Sequence, residues 1–521
     1  MASHAAALAP SDSLLDRPLA AGHPDRLAAI GRLLGLDPPA IDRARVLEIG
    51  CGAGGNLLPM AERHPAASFV GIDESRWHAA TAQLAANELG LTNVELPTFG
   101  IRDVGPQLGT FDYIFFRGDF ARLPAAAQDR VLAVCRAGLN ANGLAYLGYR
   151  TMPGSLWRGV VGELATAGVA PDASADERVA HARRVLRLTL DALAIDTTSY
   201  SRLLKLEAET AATASDRSLL QEYLTHSGES LLLPEFVERA AGHQLHYLAD
   251  AQWEIMSSAN LGPGVESDLA EMAGGRAAHQ RRLDLLGDIE LHQSILVRQP
   301  VESVRYLPAR LHGMYLTASL QYDATLAQLQ SAEIVRFTAR DGAVISSTQP
   351  VVKLALAGLA SAWPRAVAYD ELVREITSLL AASGGQAPLS AEKLATLADN
   401  LFDCVAHAWI DVHTDRDRFV TTISPRPLAS RWARVQSSAS DWVTNLRHES
   451  VVLDELSRNV LGYLDGQHDR GMLFKILLDA ARQGQLSIMQ GGIPTDAADA
   501  ILDQALDQSL ARIAAAQLLI A

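Results

Sequence analysis

The chain has 521 residues, of which 48% are hydrophobic and 20% charged, and its 4 Lys and 41 Arg stand against 60 Asp and Glu for a formal net charge of −15. A chain of this length predicts about three domains, and the composition excludes wholesale disorder. The acidic balance argues against a general nucleic-acid binder, because phosphate contacts need cations.

The cysteines, the N-terminus and the hydropathy pattern indicate a cytoplasmic protein without a membrane span. Cys51, Cys135 and Cys404 are too few and too scattered for a disulfide framework, and they suit a reducing cytosol. Residues 1–21 lack the basic region and the clean apolar run of a signal peptide, and no apolar stretch approaches the length of a membrane-spanning helix. His243 and His246 are spaced to share a metal, but no third ligand accompanies them, so no metal site is predicted.

Strand and helix patterns alternate between residues 45 and 149. The predicted strands are Arg45–Gly50, Ser68–Asp73, Val94–Leu96, Phe111–Phe116 and Leu144–Tyr149. The predicted helices between them are Asn56–Arg63, Ser75–Glu88 and Pro124–Leu139. Repeated units of this length predict an α/β fold with a parallel, doubly wound sheet.

Beyond Pro153-Gly154 the strands are expected to stop. The pattern is almost wholly helical to about Gln299, with helices predicted at His181–Leu193, Ser218–Leu224, Pro234–Ala249 and Gln280–Leu296. The tail, Val451–Ala521, is again predicted to be helical.

Residues 348–424 are typical of a winged helix. Three helices precede two short predicted strands, Trp409–Val412 and Phe419–Thr422, which the turn His413–Arg418 joins. Residues 346–425 hold six Lys or Arg and nine Asp or Glu, for a net charge of −3, which favours a structural or protein-docking module over DNA binding. The predicted regions are therefore 1–155, 156–300, 301–430 and 431–521.

The most specific motif is a glycine loop after the first predicted strand. Glycines there let the backbone approach a ligand and expose amide donors. Gly50, Gly52 and Gly55 satisfy the G-x-G-x-x-G fingerprint of dinucleotide-binding folds. The run from Glu48 also satisfies E-x-G-x-G-x-G, the S-adenosylmethionine (SAM) loop of class I methyltransferases. Both cofactors therefore fit the loop itself.

Residues outside the glycines favour SAM. Asp73 ends the second strand, where a carboxylate can hold two ribose hydroxyls of either cofactor, whereas Asp103 follows the third strand and could read the adenine amino group. Glu48 suits the methionine end of SAM. The candidate cofactor residues are Glu48, Gly50, Cys51, Gly52, Gly54, Asn56, Asp73, Asp103, Phe116 and His23.

The stretches HPDRL from His23, LEIGCGAGGN from Leu47 and FVGID from Phe69 resemble bacterial SAM-dependent protein-lysine methyltransferases that modify outer-membrane protein and carry a methyltransferase regulatory domain. The likeness extends to Y-x-T-x-PG from Tyr149, RG from Arg158, EYL from Glu222, TNLRHE from Thr444 and LDG from Leu464. It covers nearly the whole chain. The resemblance implies a Rossmann-like methyltransferase domain, a helical middle domain, a winged-helix-containing C-terminal region and a homodimer.

The chain departs from that family's pattern on the acceptor side. The family usually has HGV-x-SWVP after the fourth strand, and this chain has RGDFARLP from Arg117. Arg150 replaces an Asn and Gln221 replaces a His. Ligands bind at the carboxyl ends of the strands in such sheets, so these changes lie where the acceptor is expected.

Three residues are candidates for the chemistry. Tyr149 could relay the proton that a lysine acceptor must lose, Asp119 could orient its amine, and Arg117 would repel an ammonium but attract a carboxylate. The leading hypothesis is a SAM-dependent protein-lysine methyltransferase acting on a protein acceptor, such as an outer-membrane or surface protein before export. The alternatives are a non-catalytic SAM-binding partner protein and a small-molecule or peptide methyltransferase with an acidic acceptor.

Overall fold

The computed structural model describes residues 17–521 except 171, 195–197, 225–229, 258–260, 262, 273–274, 302–306, 383–388, 417, 484–488, 491–492 and 495–497. Expectations for residues 1–16, including most of the segment tested for a signal peptide, lie outside the described residues. Among the described residues, no helix has both the length and the apolar character needed to cross a membrane.

A seven-stranded sheet organises the chain from Arg45 to Val297. Its strands are β1 (Arg45–Ile49), β2 (Ser68–Ile72), β3 (Val94–Glu95), β4 (Phe111–Phe116), β5 (Leu139–Arg150), β6 (His246–Asp250) and β7 (Leu291–Val297). The order across the sheet is β3-β2-β1-β4-β5-β7-β6. The strands from β1 to β5 pair in parallel, and β7 is antiparallel to both of its neighbours. The predicted parallel sheet is thereby confirmed and extended by two strands.

Four helices accompany the parallel part of the sheet: α1 (Pro24–Leu33), α2 (Leu57–Arg63), α3 (Arg76–Leu89) and α4 (Ala125–Gly138). The predicted capping residues are found at both ends of α3. Ser75 accepts a hydrogen bond from the His78 amide at the start of the helix, and Gly90 ends it with a φ of 67°. His23 caps α1 by accepting from the Asp25 amide at 3.3 Å.

Strands β6 and β7 correct two helix predictions. Residues 234–249 and 280–296 were expected to be helical throughout, but the helices end at Gly242 and Gly287 and strands follow. A short apolar run does not reveal by itself whether it is helix or strand. Residues 291–297 form a strand because they pair with β5. The pairing runs from Ala145 opposite Leu296 to Arg150 opposite Leu291, and β7 is almost wholly buried.

The middle region between β5 and β7 is predominantly helical, as predicted. Its helices are α5 (Leu156–Thr166), α6 (Ala175–Leu193), α7 (Ser199–Thr213), α8 (Asp216–Leu219), α9 (Leu233–Gly242), α10 (Pro263–Glu271) and α11 (Gly275–Gly287). One turn of π-helix, Leu220–Leu224, follows α8. The helices α5 to α8 share a separate hydrophobic core.

The described residues of the third region form six short strands and four α-helices. The strands are β8 (Tyr315–Thr317), β9 (Leu320–Tyr322), β10 (Val335–Ala339), β11 (Val344–Ser347), β12 (Val367–Ala368) and β13 (Asp411–His413); the helices are α12 (Leu326–Gln330), α13 (Pro350–Ala362), α14 (Tyr369–Ala382) and α15 (Ala391–Ala406).

The three helices predicted for a winged helix are present, but one strand is not. Residues 419–422 form no strand and make only a single bridge, from Val420 to Leu519. The β13 strand pairs instead with β8, from a distant part of the chain, and β12 pairs with the other edge of β8. A partner so remote in sequence leaves no local pattern.

The C-terminal region packs around its own core. Its elements are the helices α16 (Arg431–Ser437), α17 (Glu455–Gly462), α18 (Arg470–Arg482) and α19 (Ala498–Ala515) and the strands β14 (Trp442–Thr444), β15 (Ser450–Val452), β16 (Met489–Gln490) and β17 (Ile493–Pro494).

The C-terminal region docks directly on the seven-stranded domain. The Glu62 carboxylate, in α2, accepts from the amides of Arg431 at 2.7 Å and Trp432 at 3.2 Å. Trp432 also packs against α2 and α3, where it meets Leu58 and Leu89. The C-terminal region therefore lies against α2, the helix that follows the glycine loop.

Candidate functional site

The glycine loop leaves β1 in a conformation that requires glycine. Gly50, Gly52 and Gly54 have φ values of 76°, 55° and 86°, in the left-handed region. A side chain at Gly50 would place its Cβ 2.7 Å from the Arg117 carbonyl oxygen. The Gly50 amide donates to the Ile72 carbonyl at 2.8 Å. The loop thus crosses the carboxyl ends of β2 and β4 closely, as a ligand-cradling turn must.

Glu48 lies fully buried beneath this loop. Its Oε1 accepts from Asn56 Nδ2 at 3.1 Å and lies 3.3 Å from Arg117 Nε. Among the described residues its Oε2 has no hydrogen-bond partner. Burial raises the pKa of Glu48 to about 7, against the opposing effects of Arg117 and Asn56. A buried carboxylate oxygen without a donor is suited to receive one from a cationic ligand.

Asp73 braces the loop from the end of β2. Its Oδ2 accepts from the Gly52 amide at 3.0 Å, while Oδ1 accepts from the Ser75 amide at 2.9 Å and lies 3.1 Å from His78 Nδ1. A carboxylate oxygen has two lone pairs, so these contacts leave acceptor capacity. A ribose contact for Asp73 stays a prediction.

The remaining cofactor candidates are less closely tied to the loop. Asp103 is exposed and accepts from the Gly100 amide at 3.1 Å, on a segment separate from the glycine loop. Phe116 is buried at the end of β4, edge-on to Phe120 at 6.1 Å between ring centroids. Cys51 is buried, and burial raises its pKa well above the usual value. These three positions keep their predicted roles as hypotheses.

Asn56 joins three parts of the chain at the start of α2. While its Nδ2 donates to Glu48, its Oδ1 accepts from the Leu19 amide at 2.8 Å and lies 2.7 Å from His448 Nε2. The ring centroid of His23 is 5.0 Å from that of His448. The N-terminal segment therefore crosses the loop as expected, although the sequence did not single out His448. The only available signal was its place in the TNLRHE segment.

The predicted acceptor residues Asp119 and Arg150 belong to a group of ion pairs beyond β4 and β5, here called the edge cluster. It consists of Asp119, Arg122, Arg150, Arg158, Glu207, Glu222 and Glu290.

Arg150 lies at the centre of the edge cluster. Its guanidinium pairs with Glu222 and Glu290, and its Nε is 3.5 Å from Asp119 Oδ2. Arg158 reaches the same two glutamates, at 3.2 Å to Glu222 and 2.8 Å to Glu290. Burial raises the pKa of Asp119, an effect that its arginine partners and amide donors oppose. The four carboxylates outnumber the three guanidinium groups, so the cluster has a net negative charge.

Tyr149 is placed differently from the expectation. The structure buries it completely, with its hydroxyl 3.0 Å from Ser294 Oγ and its ring 4.5 Å from that of Phe236. Burial raises the pKa of its hydroxyl well above the usual value. The sequence predicted no strand between β5 and about Gln299, whereas β7 pairs with β5 and places Tyr149 opposite His292. Tyr149 therefore lies in the core of this structure, and its role toward an acceptor stays a prediction.

Three family models match the chain. They are described as a methyltransferase domain (residues 46–143), a predicted methyltransferase regulatory domain (residues 215–298) and "PKMT, C-terminal winged helix domain" (residues 425–518). The winged-helix match lies beyond residues 348–424, for which the sequence pattern suggested that motif. The bounds of the four predicted domains stay predictions.

Two relatives match the chain, one over most of its length and the other over less than half. One uncharacterized protein of Rickettsia prowazekii (strain Madrid E) is 25% identical over 483 residues, which cover 91% of this chain and 86% of the relative. A second from the same organism is 31% identical over 218 residues, 42% of this chain and 87% of the relative.

Solved structures confirm the overall fold. PKMT2 from Rickettsia typhi has 24% sequence identity and a TM-score of 0.85, with 97% of this chain and 99% of that chain covered. A second structure of PKMT2, in complex with AdoHcy, gives a TM-score of 0.84, 24% identity and the same coverage. The chain therefore shares the fold of PKMT2 along nearly its whole length.

Proposed function

This chain belongs to the PKMT family of methyltransferases, and on that premise we propose that it transfers the methyl group of SAM to a lysine side chain of a protein. The carrying observation is the buried Glu48 carboxylate beneath a loop whose glycines adopt left-handed conformations: within the part of the chain that the structure describes, one of its oxygens has no donor. The family membership supports the lysine acceptor, and the AdoHcy complex of PKMT2 supports the cofactor.

The described residues fit SAM. Glu48 Oε2 would accept from the ammonium of the methionine moiety, the glycines carry no side chain that would stand between the backbone and a ligand, and Asp73 would accept from ribose hydroxyls. Bound SAM supplies an electrophilic methyl group on a sulfonium. The residues around it need only bind, orient and exclude water, because the leaving group is already activated.

The edge cluster favours a cationic acceptor. Arg117, at the end of β4, contacts Glu48, and Asp119, two residues further on, contacts Arg150, so loop and cluster lie at the same edge of the sheet. A lysine ammonium entering this negative cluster would be attracted and then must lose a proton. Asp119, whose pKa burial raises, would hold that proton.

An acidic acceptor receives less support. It needs Arg117 and Arg150 to bind a carboxylate from outside, yet Arg117 already pairs with Glu48 and Arg150 with three carboxylates of the chain. The non-catalytic alternative rests on the departures at residues 117–123, and methyl transfer tests it directly.

The finer features follow the family resemblance. The acceptor would be an outer-membrane or surface protein, methylated in the cytoplasm before export, and the enzyme would be a homodimer. Light scattering that returns the mass of a 55.8 kDa monomer at micromolar concentration would contradict the dimer.

Incubation with methyl-labelled SAM and cell extract tests the proposed activity. We expect label in protein and, after hydrolysis, in methylated lysine. Label confined to small molecules would contradict a protein acceptor, and SAM binding without any transfer would support the non-catalytic alternative. The four lysines of the chain, Lys205, Lys353, Lys393 and Lys475, leave few sites for automethylation.

A further inference from the structure

The loop between β14 and β15 is built to present one side chain. Asn445 Oδ1 accepts from the amides of Arg447 and Glu449, both at 2.9 Å, and the Asn445 amide donates to the Glu449 carbonyl at 2.9 Å. The His448 amide donates to the Asn445 carbonyl at 3.0 Å. Within this braced turn His448 has a φ of 64°, which is unfavourable for a residue other than glycine. Such strain at a braced turn indicates a constraint on where the side chain points.

The imidazole of His448 points into the methyltransferase domain. It is 4% exposed, and its Nε2 lies 2.7 Å from Asn56 Oδ1 at the end of the glycine loop. The hydrogen-bond directions are fixed by their neighbours. The Leu19 amide can only donate, so Oδ1 is the Asn56 atom that faces it, and the Asn56 amide nitrogen faces the Glu48 carboxylate. His448 Nε2 therefore donates to Asn56.

Asn56 transmits this contact to Glu48. Its Nδ2 donates to Oε1 at 3.1 Å, while Oε2 is the buried oxygen without a partner among the described residues. The orientation of Oε2 thus depends on an amide that the C-terminal region holds in place. The contact is separate from the docking of that region, which Glu62 and Trp432 provide.

We propose that His448, from the C-terminal region, is a positioning residue for cofactor binding: through Asn56 it orients the Glu48 carboxylate toward the ammonium of SAM. This inference rests on the proposed function, because it specifies how one end of the proposed cofactor is held. It also gives the C-terminal region a part in the cofactor site. His448 lies 392 residues beyond Asn56 along the chain.

The test compares the full-length protein with the variant His448→Asn. Asparagine tolerates a positive φ, but its shorter side chain does not reach Asn56. The variant His448→Gln restores a donor of similar reach. The matched control is His468→Asn, because His468 lies in the same region and bonds to Asp465 at 2.9 Å.

Calorimetry with two ligands separates positioning from a general loss of structure. The ligands are AdoHcy and an AdoHcy analogue without the α-amino group. We expect His448→Asn to weaken AdoHcy binding about tenfold and to leave binding of the analogue unchanged. His448→Gln should recover most of the affinity, and His468→Asn should bind as the wild type does. In turnover, the KM for SAM should rise about tenfold while kcat stays within about twofold.

Equal loss of affinity for both ligands, or no loss for either, would overturn the inference. If His448→Asn does not fold, the inference is tested with His448→Gln alone. Glutamine keeps a hydrogen-bond donor, so this variant should still prefer AdoHcy to the analogue without the amino group, and a loss of that preference would refute the inference. A wild-type protein that binds AdoHcy but never transfers a methyl group would overturn the proposed function. The binding comparison of the two ligands would still test whether His448 positions Glu48, because it does not depend on methyl transfer.

Discussion

Arg117 Nε lies 3.3 Å from Glu48 Oε1, and neither side chain is more than 7% exposed. The Arg117 guanidinium, at the end of β4, is therefore buried against the Glu48 carboxylate of β1. Arg117 also donates from Nη2 to the Arg17 carbonyl at 2.9 Å, which ties the N-terminal segment to the same place. Arg117, predicted to act on the acceptor side, thus contacts the carboxylate beneath the glycine loop, and its role toward an acceptor stays a prediction.

Replacing Arg117 with Met should destabilise the fold. The change leaves a buried carboxylate without its cation, and breaking a buried pair costs about 3–5 kcal/mol. Because Glu48 can take up a proton, we expect a loss near the lower end of that range at pH 6 and a larger loss at pH 8. Urea unfolding at the two pH values measures this. The double variant with Glu48→Gln should recover part of the loss, and equal stability of single and double variants would contradict the pairing.

The affinity for SAM should rise with pH. The pKa of Glu48 is raised to about 7 by burial, so the group is protonated below pH 7 and ionised above it. An ammonium ligand selects the ionised form, and binding at pH 6 should be several-fold weaker than at pH 7.5. Calorimetry in buffers of different ionisation enthalpy should detect proton release at pH 6. The variant Glu48→Gln should bind more weakly and lose this pH dependence; a retained dependence would assign it to another group.

A buried histidine predicts a loss of stability at alkaline pH. His292 Nδ1 lies 3.0 Å from Asp250 Oδ2 and its Nε2 lies 3.2 Å from Asp284 Oδ2, with all three side chains fully buried. Burial alone would lower the pKa of His292, but the two carboxylates outweigh it and raise the pKa to about 9. Its contribution to folding is therefore complete below about pH 6.5 and is lost as the pH rises through 9.

A shift of this size corresponds to about 3 kcal/mol. The free energy of unfolding in urea should fall by roughly that amount between pH 6.5 and 9.5. His292→Asn should be less stable at pH 6.5 and should show a smaller decline. A wild-type protein as stable at pH 9.5 as at pH 6.5 would contradict a charged His292.

Arg150 should compete with a cationic acceptor. Its guanidinium pairs with the carboxylates of Asp119, Glu222 and Glu290. The variant Arg150→Asn would leave these carboxylates without that cation and make the edge cluster more negative. We expect the KM for the protein acceptor to fall about threefold to tenfold while the KM for SAM stays constant. The control is Arg183→Asn, which removes an ion pair with the exposed Asp216 in the helical region. An increased acceptor KM would instead favour a direct role of Arg150 in acceptor binding.

Local signals were enough to predict the glycine loop and the two carboxylates beside it, whose contacts with a cofactor stay predictions. The glycines, Glu48 and Asp73 lie close together along the chain, and their roles follow from strand ends and turn conformations. The acceptor half could not be predicted, because Arg150 meets Glu222 and Glu290 only after the middle region has folded back. The burial of Tyr149 was not predicted for a related reason: β7, which pairs with β5, comes from residues 291–297.

His448 illustrates the same limit at the greatest separation along the chain. Its segment was recognisable by resemblance, but no pattern of charge or hydropathy connects it with Asn56, 392 residues earlier. The fold class, the five parallel strands and the helical middle region followed from periodicity and capping residues. Long-range pairings, such as β8 with β13, required the three-dimensional structure.

The position of β7 in the sheet has a consequence for biosynthesis. The fifth strand of the catalytic sheet ends at Arg150, but its neighbour is not translated until residue 297 has been added. During that interval β5 has one unpaired edge, a known hazard for aggregation. A fragment ending at residue 155 would carry the same open edge permanently. The seven-stranded sheet can therefore be completed only after the helical middle region and residues 291–297 have been translated.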